Sequence, residues 1–404
     1  MQYIEGGVTA AKGFLAGGVH CGIRKNKSKR DLALIYSEKP CAAAGVYTQN
    51  LVKGAPILVT QKNLADGRAQ AVICNSGNAN TCNADGEAKA WRMCEIAADA
   101  LHIDPHDVIV ASTGVIGQIL PIEPIENAAA ELASSLSADG SNYAAQAIMT
   151  TDTIEKEVAV QVEIGGKTVT VGGISKGSGM IHPNMATMLC FITTDCAITP
   201  AMLQKAVTAA ADKTFNMISV DGDTSTNDTL TCMANGEAGN AEIAAAGEAF
   251  DAFCAALTAV CRKLSMMMAG DGEGATKLLI CRTTGAKDWE TAKTVAKSVI
   301  CSALLKAAMF GEDANWGRVL CAIGYSGADI DIHKVDVAFQ SENGRVDVCE
   351  NGAGIAFSEE EAAKVLHAKE ITILVDLKSG EAEAEAFGCD LTYDYVKING
   401  DYRT

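Results

Sequence analysis

The chain has 404 residues, 48% hydrophobic and 21% charged, an ordinary globular composition with length for one large core or two domains. Its formal net charge of -17 repels nucleic acid and anionic membrane surfaces, so neither is an expected partner; the plainer reading of that charge is solubility. The first 14 residues (MQYIEGGVTAAKGF) have no basic start and no apolar core, and no stretch approaches 18 uninterrupted apolar residues, so neither a secretion signal nor a spanning helix is expected.

In chain order, residues 56–60 (PILVT), 71–74 (AVIC) and 107–111 (DVIVA) are short apolar runs that predict buried strands. Residues 157–164 and 167–172 alternate around Gly165-Gly166, which predicts a β-hairpin. Thr199 followed by Pro200 is a helix start, with Leu203, Ala206, Val207 and Ala210 on one face. Residues 246–265 set Phe250, Phe253, Cys254, Leu257 and Cys261 at helical spacing. Ser358 with Glu361 forms a capping box before a helix over 362–368, and residues 371–377 (ITILVDL) read as a strand. No low-complexity tract, Pro-rich linker or short repeat divides the chain. The mixture is α+β or α/β, for which helices layered on sheets are the natural packing. The 15 cysteines are scattered through apolar runs with no C-x-x-C pair, which fits buried free thiols in a reducing cytoplasm better than disulfides or a metal site.

The most unusual stretch is residues 176–195, KGSGMIHPNMATMLCFITTD. A phosphate loop at Lys176-Gly177-Ser178-Gly179 fails, because the lysine precedes the glycines and no helix-forming run follows. A chemical reading fits better. Thr187 follows the small Ala186 where a loop meets an apolar strand, a place that can hold a strained peptide bond. If that bond breaks, the freed α-amine of Thr187, with a reference pKa of about 7.7–8.0, can activate its own hydroxyl. The competing reading is a structural threonine at a strand start.

The whole of this stretch resembles the signature of the ornithine acetyltransferase family, also called bifunctional glutamate N-acetyltransferases, with KGSGMI, PNMATML and FITTD in order. Further elements agree: residues 75–80 (NSGNAN), 112–117 (STGVIG), 149–153 (MTTDT), 221–228 (DGDTSTND), 311–318 (GEDANWGR) and 399–404 (NGDYRT). The resemblance spans essentially the whole chain. It implies an α/β/β/α sandwich like that of N-terminal-nucleophile hydrolases, with a different connectivity.

The resemblance makes Ala186–Thr187 the bond of self-cleavage, giving fragments 1–186 and 187–404, and Thr187 the nucleophile. Thr113 and Gly114 match the family's oxyanion hole, where a hydroxyl and a backbone N–H would meet the charge that develops on an acetyl oxygen; the plainer reading of residues 112–117 is a turn at a strand end. Thr150, Lys176, Glu273, Asn399 and Thr404 fall where the family contacts substrate, and Thr151 is an alternative for the first of these. Lys176 suits a carboxylate and Glu273 an ammonium, against the default of a solvated loop carboxylate for Glu273. Asn399 and Thr404 would bring the C-terminal tail into the site, against the default of a frayed end. His182 is assigned no catalytic role, since the threonine amine already serves as base.

The implied reaction is ping-pong transfer of acetyl from N-acetyl-L-ornithine to L-glutamate through acetyl-Thr187, with no cofactor and no metal, in arginine biosynthesis. Some members also accept acetyl-CoA, and the family precedent for assembly is a heterotetramer of two αβ units. Competing readings are an N-terminal-nucleophile hydrolase, with water as acceptor, and an uncleaved binding protein.

Overall fold

A computed structural model describes residues 1–182 and 188–401. Ala186, Thr187 and Thr404 therefore lie outside the described residues. The chain forms two compact units. The first comprises residues 1–177, 188–216 and 224–264; the second comprises 178–182, 217–223 and 265–401.

The first unit is built on a nine-stranded mixed sheet. Its order is Gln2–Ile4, Lys156–Ile164, Lys167–Lys176, Leu189–Thr194, Thr229–Ala234, Leu32–Tyr47, Arg68–Asn78, Val108–Val115, and Phe14–Val19 also pairs with Leu32–Tyr47. Arg68–Asn78 and Val108–Val115 are parallel, and both their faces are covered. Ala33, Ile35, Val72, Cys74, Ile109 and Ala111 point to one side, against Ala144, Ala145, Ala147 and Ile148 of the helix Ser141–Ile148. Leu32, Leu34, Ala71, Ile73, Val108 and Val110 point to the other, against the helices Ala55–Asn63, Gly86–Leu101 and Glu123–Ser134. Burial on both faces is why AVIC and VIVA are unbroken apolar runs rather than alternating ones.

The hairpin at Gly165-Gly166 joins Lys156–Ile164 to Lys167–Lys176. Both glycines have positive φ, 59° and 73°, as a tight primed turn requires. Among the described residues one helix, Glu248–Gly270, is long and apolar enough to cross a membrane. In the first unit its Phe253, Leu257, Val260 and Leu264 are buried, and a Cβ at Gly173 would touch Val260 and Leu264. These are the contacts of a core helix.

One expectation is corrected. Residues 56–60 are not a strand but the body of the helix Ala55–Asn63. A short apolar run has no period by which strand and helix can be told apart, and Pro56 sits in the first turn, where a helix tolerates it. Tertiary pairing settles the matter. Val108–Val115 ends the sheet, and the Thr60 hydroxyl takes the place of a next strand there: it donates to the Val110 carbonyl at 2.7 Å and accepts from the Val110 N–H at 2.9 Å.

The second unit has a seven-stranded sheet, in the order Ala353–Gly354, Gly344–Glu350, Asp336–Ser341, Glu370–Asp376, Leu278–Ala286, Ala382–Cys389, Ile218–Ser219. The helix Trp289–Cys301 packs on Leu278–Ala286 and Ala382–Cys389, and Glu359–Leu366 packs on Asp336–Ser341 and Gly344–Glu350. Ser358 caps that last helix, its hydroxyl accepting from the Glu361 N–H at 3.3 Å. Thr199 likewise caps Pro200–Lys213 in the first unit, accepting from Met202 N–H at 3.4 Å. Helices on sheets in each unit bear out the mixed α/β class. All 15 cysteines are free thiols, most of them buried.

The edge contact is testable. Thr60→Val keeps the shape but strands the buried N–H and C=O of Val110, which costs about 1–3 kcal/mol. The denaturation midpoint should fall accordingly, and Thr60→Ser should recover most of the loss. An unchanged midpoint for Thr60→Val would show that water already serves that edge.

Candidate active site

Thr113 and Gly114 lie not in a turn but within the strand Val108–Val115, in the first unit. Its neighbour Arg68–Asn78 bulges opposite: Gly77 pairs with Gly114, while Asn78 pairs with both Thr113 and Val115. Gly114 has φ +134°, and a Cβ there would lie 2.3 Å from the Gly77 carbonyl carbon and 2.5 Å from the Asn78 nitrogen. Only glycine fits both the angle and the space. The strand end is then pinned by buried amides. Asn227 donates to the Ala79 and Ser112 carbonyls at 2.6 and 3.0 Å, and its own oxygen accepts from Thr81 and Thr226 at 2.7 and 2.5 Å. The Ser112 hydroxyl donates to Asn75 at 2.6 Å. Thr113 sits half-buried on this rigid base, an arrangement that can hold a donor at a fixed point.

Thr150 and Lys176 come together in the first unit through a residue that sequence reasoning did not assign, Asp152. Its carboxylate accepts from Lys156 Nζ at 2.8 Å, from the Gly177 N–H at 2.7 Å and from the Thr150 N–H at 3.0 Å, with Lys176 Nζ at 3.9 Å. The side chains of Asp152 and Lys156 are fully buried, and that of Lys176 is 10% exposed. Burial alone would raise the Asp152 carboxyl; the ammonium groups of Lys176 and Lys156 and the hydrogen bonds outweigh it and hold the group well below the usual carboxylate range. The other end of Thr150 is also held. Arg24 donates to the Met149 carbonyl at 2.8 Å and to the Thr150 carbonyl at 3.1 Å. Arg24 is fixed in turn by buried Asp31, which accepts the N–H groups of Cys21, Gly22 and Arg24. A Cβ at Gly77 would lie 2.8 Å from Arg24 Cγ. Gly114, Gly77, Arg24, Thr150, Asp152 and Lys176 are thus one continuous chain of contacts.

In the second unit Glu273 is 9% exposed, so it is not a solvated loop carboxylate. It accepts from Asn399 Nδ2 at 2.8 Å, and a Cβ at Gly179 would collide with its carboxylate. Asn399 belongs to the helix Tyr393–Gly400, so this part of the tail is ordered and not frayed. Residues 178–182, just before the motif's threonine, are tied down residue by residue. The Ser178 hydroxyl donates to the Asp271 carbonyl at 2.7 Å, and the Glu273 N–H donates to the Ser178 carbonyl at 2.9 Å. Asp221 accepts from Met180 and Ile181 N–H at 2.6 and 2.8 Å, and the Ile181 carbonyl accepts from Val220 N–H at 2.7 Å. His182 Nδ1 lies 3.1 Å from Ser219 Oγ and 3.5 Å from Cys301 Sγ. Burial, then Lys297, lower its pKa against the opposing pull of Asp221 and Asp223. That setting makes it part of the clamp.

Of the residues expected from the sequence, Thr113, Gly114, Thr150 and Lys176 fall in the first unit and Glu273 and Asn399 in the second; Ala186, Thr187 and Thr404 fall outside the described residues. Asp152, Arg24, Asn227 and Asp221 were missed. Asp152, Asn227 and Asp221 stand inside matched motifs. Arg24 had no signal, because its partners are 125 and 126 residues away.

Residues 15–404 match the model of the ArgJ family. The chain is similar to the arginine biosynthesis bifunctional protein ArgJ of Symbiobacterium thermophilum, 52% identical over 406 residues and 100% of both chains. That of Caldanaerobacter subterraneus subsp. tengcongensis is 50% identical over 405 residues, again covering 100% of both. The crystal structure of the arginine biosynthesis bifunctional protein from Bacillus halodurans superposes with a TM-score of 0.50 at 43% identity, covering 52% of this chain and 98% of that one.

The Gly77–Gly114 contact predicts that Gly114→Ala is severely destabilising. Strain at positive φ and overpacking each cost about 1–3 kcal/mol, together on the order of 2–6 kcal/mol. Equilibrium denaturation measures it; a loss below about 1 kcal/mol would mean the two strands separate easily, and the pinned strand end would be wrong.

Proposed function

Because the chain belongs to the ArgJ family, we propose that it is an arginine-biosynthesis enzyme that cleaves itself before Thr187 and carries acetyl on that residue from N-acetyl-L-ornithine to L-glutamate. In the first event the Thr187 hydroxyl attacks the Ala186 carbonyl, the C–N bond breaks, and water releases the new ester. In turnover the same oxygen, with the freed α-amine as base, attacks the acetyl carbonyl; L-ornithine leaves, and the amine of L-glutamate takes the acetyl group from the ester. Thr113 and Gly114 are assigned to the oxyanion. Lys176, beside Thr150, is assigned to the substrate's α-carboxylate, and Glu273, Asn399 and Thr404 to its ammonium end. The relatives' designation as bifunctional supports a second donor, for which acetyl-CoA is the candidate. The setting is cytoplasmic and the assembly a heterotetramer.

The family match over residues 15–404 carries this reading. Three features support it. The chain is anchored immediately before residues 183–187 by the clamp on 178–182, and again from Leu189 by the central sheet. The Gly114 strand end is rigid and next to a threonine hydroxyl. The Asp152 carboxylate gathers Lys176 and the Thr150 backbone at one place, where an ammonium group can meet a carboxylate. The sheet also bears on the two fragments. Leu189–Thr194 and Thr229–Ala234, from 187–404, lie between Lys167–Lys176 and Leu32–Tyr47, from 1–186. Cleavage would leave the two fragments joined by backbone hydrogen bonds.

Intact-mass analysis of denatured protein should therefore show two fragments, the second beginning Thr187-Met188-Leu189-Cys190, from material that elutes natively as one species. Thr187→Ala should neither cleave nor transfer, while Thr187→Ser should still cleave. An uncut wild-type chain that transfers acetyl would overturn the amine-as-base mechanism. Release of L-ornithine from N-acetyl-L-ornithine should require added L-glutamate; sustained release in water alone would make the protein a hydrolase.

On cleaved enzyme, Thr113→Ala should lower kcat on the order of 10²–10³-fold, about 2.7–4 kcal/mol, with little change in KM, and Thr113→Ser should recover most of it. A change confined to KM would move Thr113 from the oxyanion to ground-state binding.

A further inference from the structure

We propose that Ser76 is a positioning residue for the oxyanion end of the site: its hydroxyl donates to the Thr113 hydroxyl during acyl transfer and so leaves the Thr113 proton for the charge that develops on the acetyl oxygen. The inference rests on the acetyl-transfer reading above and on the place that reading gives Thr113.

Ser76 is fully buried, and its Oγ has no hydrogen-bond partner among the described residues. A buried hydroxyl left unpaired costs stability, so alanine would suit the fold better at this position. The polar side chains beside it in the chain are paired. Asn75 donates to the Asn78 carbonyl at 2.9 Å, Asn78 to the Gln118 carbonyl at 3.1 Å, Asn80 to the Gly86 carbonyl at 2.9 Å, and the Thr81 hydroxyl to Asn227 at 2.7 Å. Ser76 is the exception in a segment that otherwise satisfies itself.

Its direction follows from the register. In the parallel pair Arg68–Asn78 and Val108–Val115, Asn75 lies opposite Ser112 and Ser76 opposite Thr113. Side chains alternate between the faces of a strand, and paired residues share a face. Asn75 and Ser112 follow Ile73 and Val110 on one face, where their side chains bond each other at 2.6 Å. Ser76 and Thr113 follow Cys74 and Ala111 on the other. Two hydroxyls thus stand side by side, one assigned to the oxyanion and one without a partner. The backbones beneath them are fixed. The Ser76 N–H donates to the Asp31 carbonyl at 2.9 Å, and the close Gly77–Gly114 contact is the next pair along. Neighbouring strands are about 4.7–4.9 Å apart, near enough for rotation about χ1 to join two facing hydroxyls. The same face leads to the substrate residues: the Cys74 thiol, raised by burial, feels the opposing pull of the Lys176 ammonium.

A hydroxyl has one proton and two lone pairs, and it rotates freely. A neighbour that donates to one lone pair of Thr113 directs the Thr113 proton away from itself and strengthens the bond that proton makes. Catalytic hydrogen bonds commonly tighten only with substrate in place. Neither hydroxyl gives up its proton in this arrangement.

The test is a double-mutant cycle at Ser76 and Thr113, on cleaved enzyme with N-acetyl-L-ornithine and L-glutamate. Ser76→Ala should lower kcat about tenfold with KM little changed, the worth of one neutral hydrogen bond. In the Thr113→Ala background the same change should matter less than about twofold, because the hydroxyl it serves is gone. Ser76→Cys keeps a weaker donor and should be slowed less than Ser76→Ala; it decides the matter if Ser76→Ala does not cleave. The denaturation midpoint of Ser76→Ala should equal or exceed that of wild type, since an unpaired buried hydroxyl has been removed. Equal losses in both backgrounds, a wild-type kcat in either Ser76 variant, a loss confined to KM, or a lowered midpoint would overturn the proposal. A Thr113→Ala enzyme with wild-type kcat would instead remove the oxyanion assignment and this proposal with it. A wild-type enzyme that transfers no acetyl would sink the acetyl-transfer reading itself.

Discussion

The parallel pair Leu189–Thr194 and Thr229–Ala234 fills the middle of the first unit's sheet, and every strand to either side depends on it. Both strands are buried throughout. Without them Lys167–Lys176 and Leu32–Tyr47 would each present a row of unpaired N–H and C=O groups inside the molecule, where such groups cost most. These contacts are distant in sequence: Thr229 pairs with Tyr47 and Val171 with Thr194. The sheet therefore closes late in the chain, after both flanks of the motif have been synthesised. Leu189, the first residue of one of these strands, follows the motif threonine by two residues in sequence.

Around that sheet, rigidity comes from buried polar groups with their hydrogen bonds satisfied. Asn227 fixes Ala79 and Ser112, Asp31 fixes the turn that carries Arg24, Asp152 fixes Thr150 and Gly177, and Asp221 fixes Met180 and Ile181. Each is a side chain binding main chain, which makes good any loss of secondary-structure hydrogen bonding where strands end and loops begin. The glycines serve the same purpose by subtraction. Gly114 lets two strands approach more closely than any Cβ permits, and Gly179 leaves room for the Glu273 carboxylate. A chemical site needs atoms fixed to a fraction of an ångström, and these contacts supply that from the scaffold.

Much was determined by the sequence alone, wherever the cause is local. Two glycines in a row set the hairpin turn, Thr199 with Pro200 set a helix start, and Ser358 three residues before Glu361 set a cap. Turn and cap chemistry acts within a few residues, so the order of residues is enough. The contiguous motif at residues 176–195 likewise named the family without any structure. Only the tertiary structure decided the rest. It made residues 56–60 a helix, since the Thr60 hydroxyl is needed at the sheet edge 50 residues away. It made residues 112–117 begin as a continued strand, since the Gly77 bulge makes room for Gly114. It joined Glu273 to Asn399 across 126 residues and put Lys156, Lys176 and Thr150 on one buried carboxylate. Which charges share a low-dielectric space depends on how distant segments pack, and spacing along the chain carries no record of it.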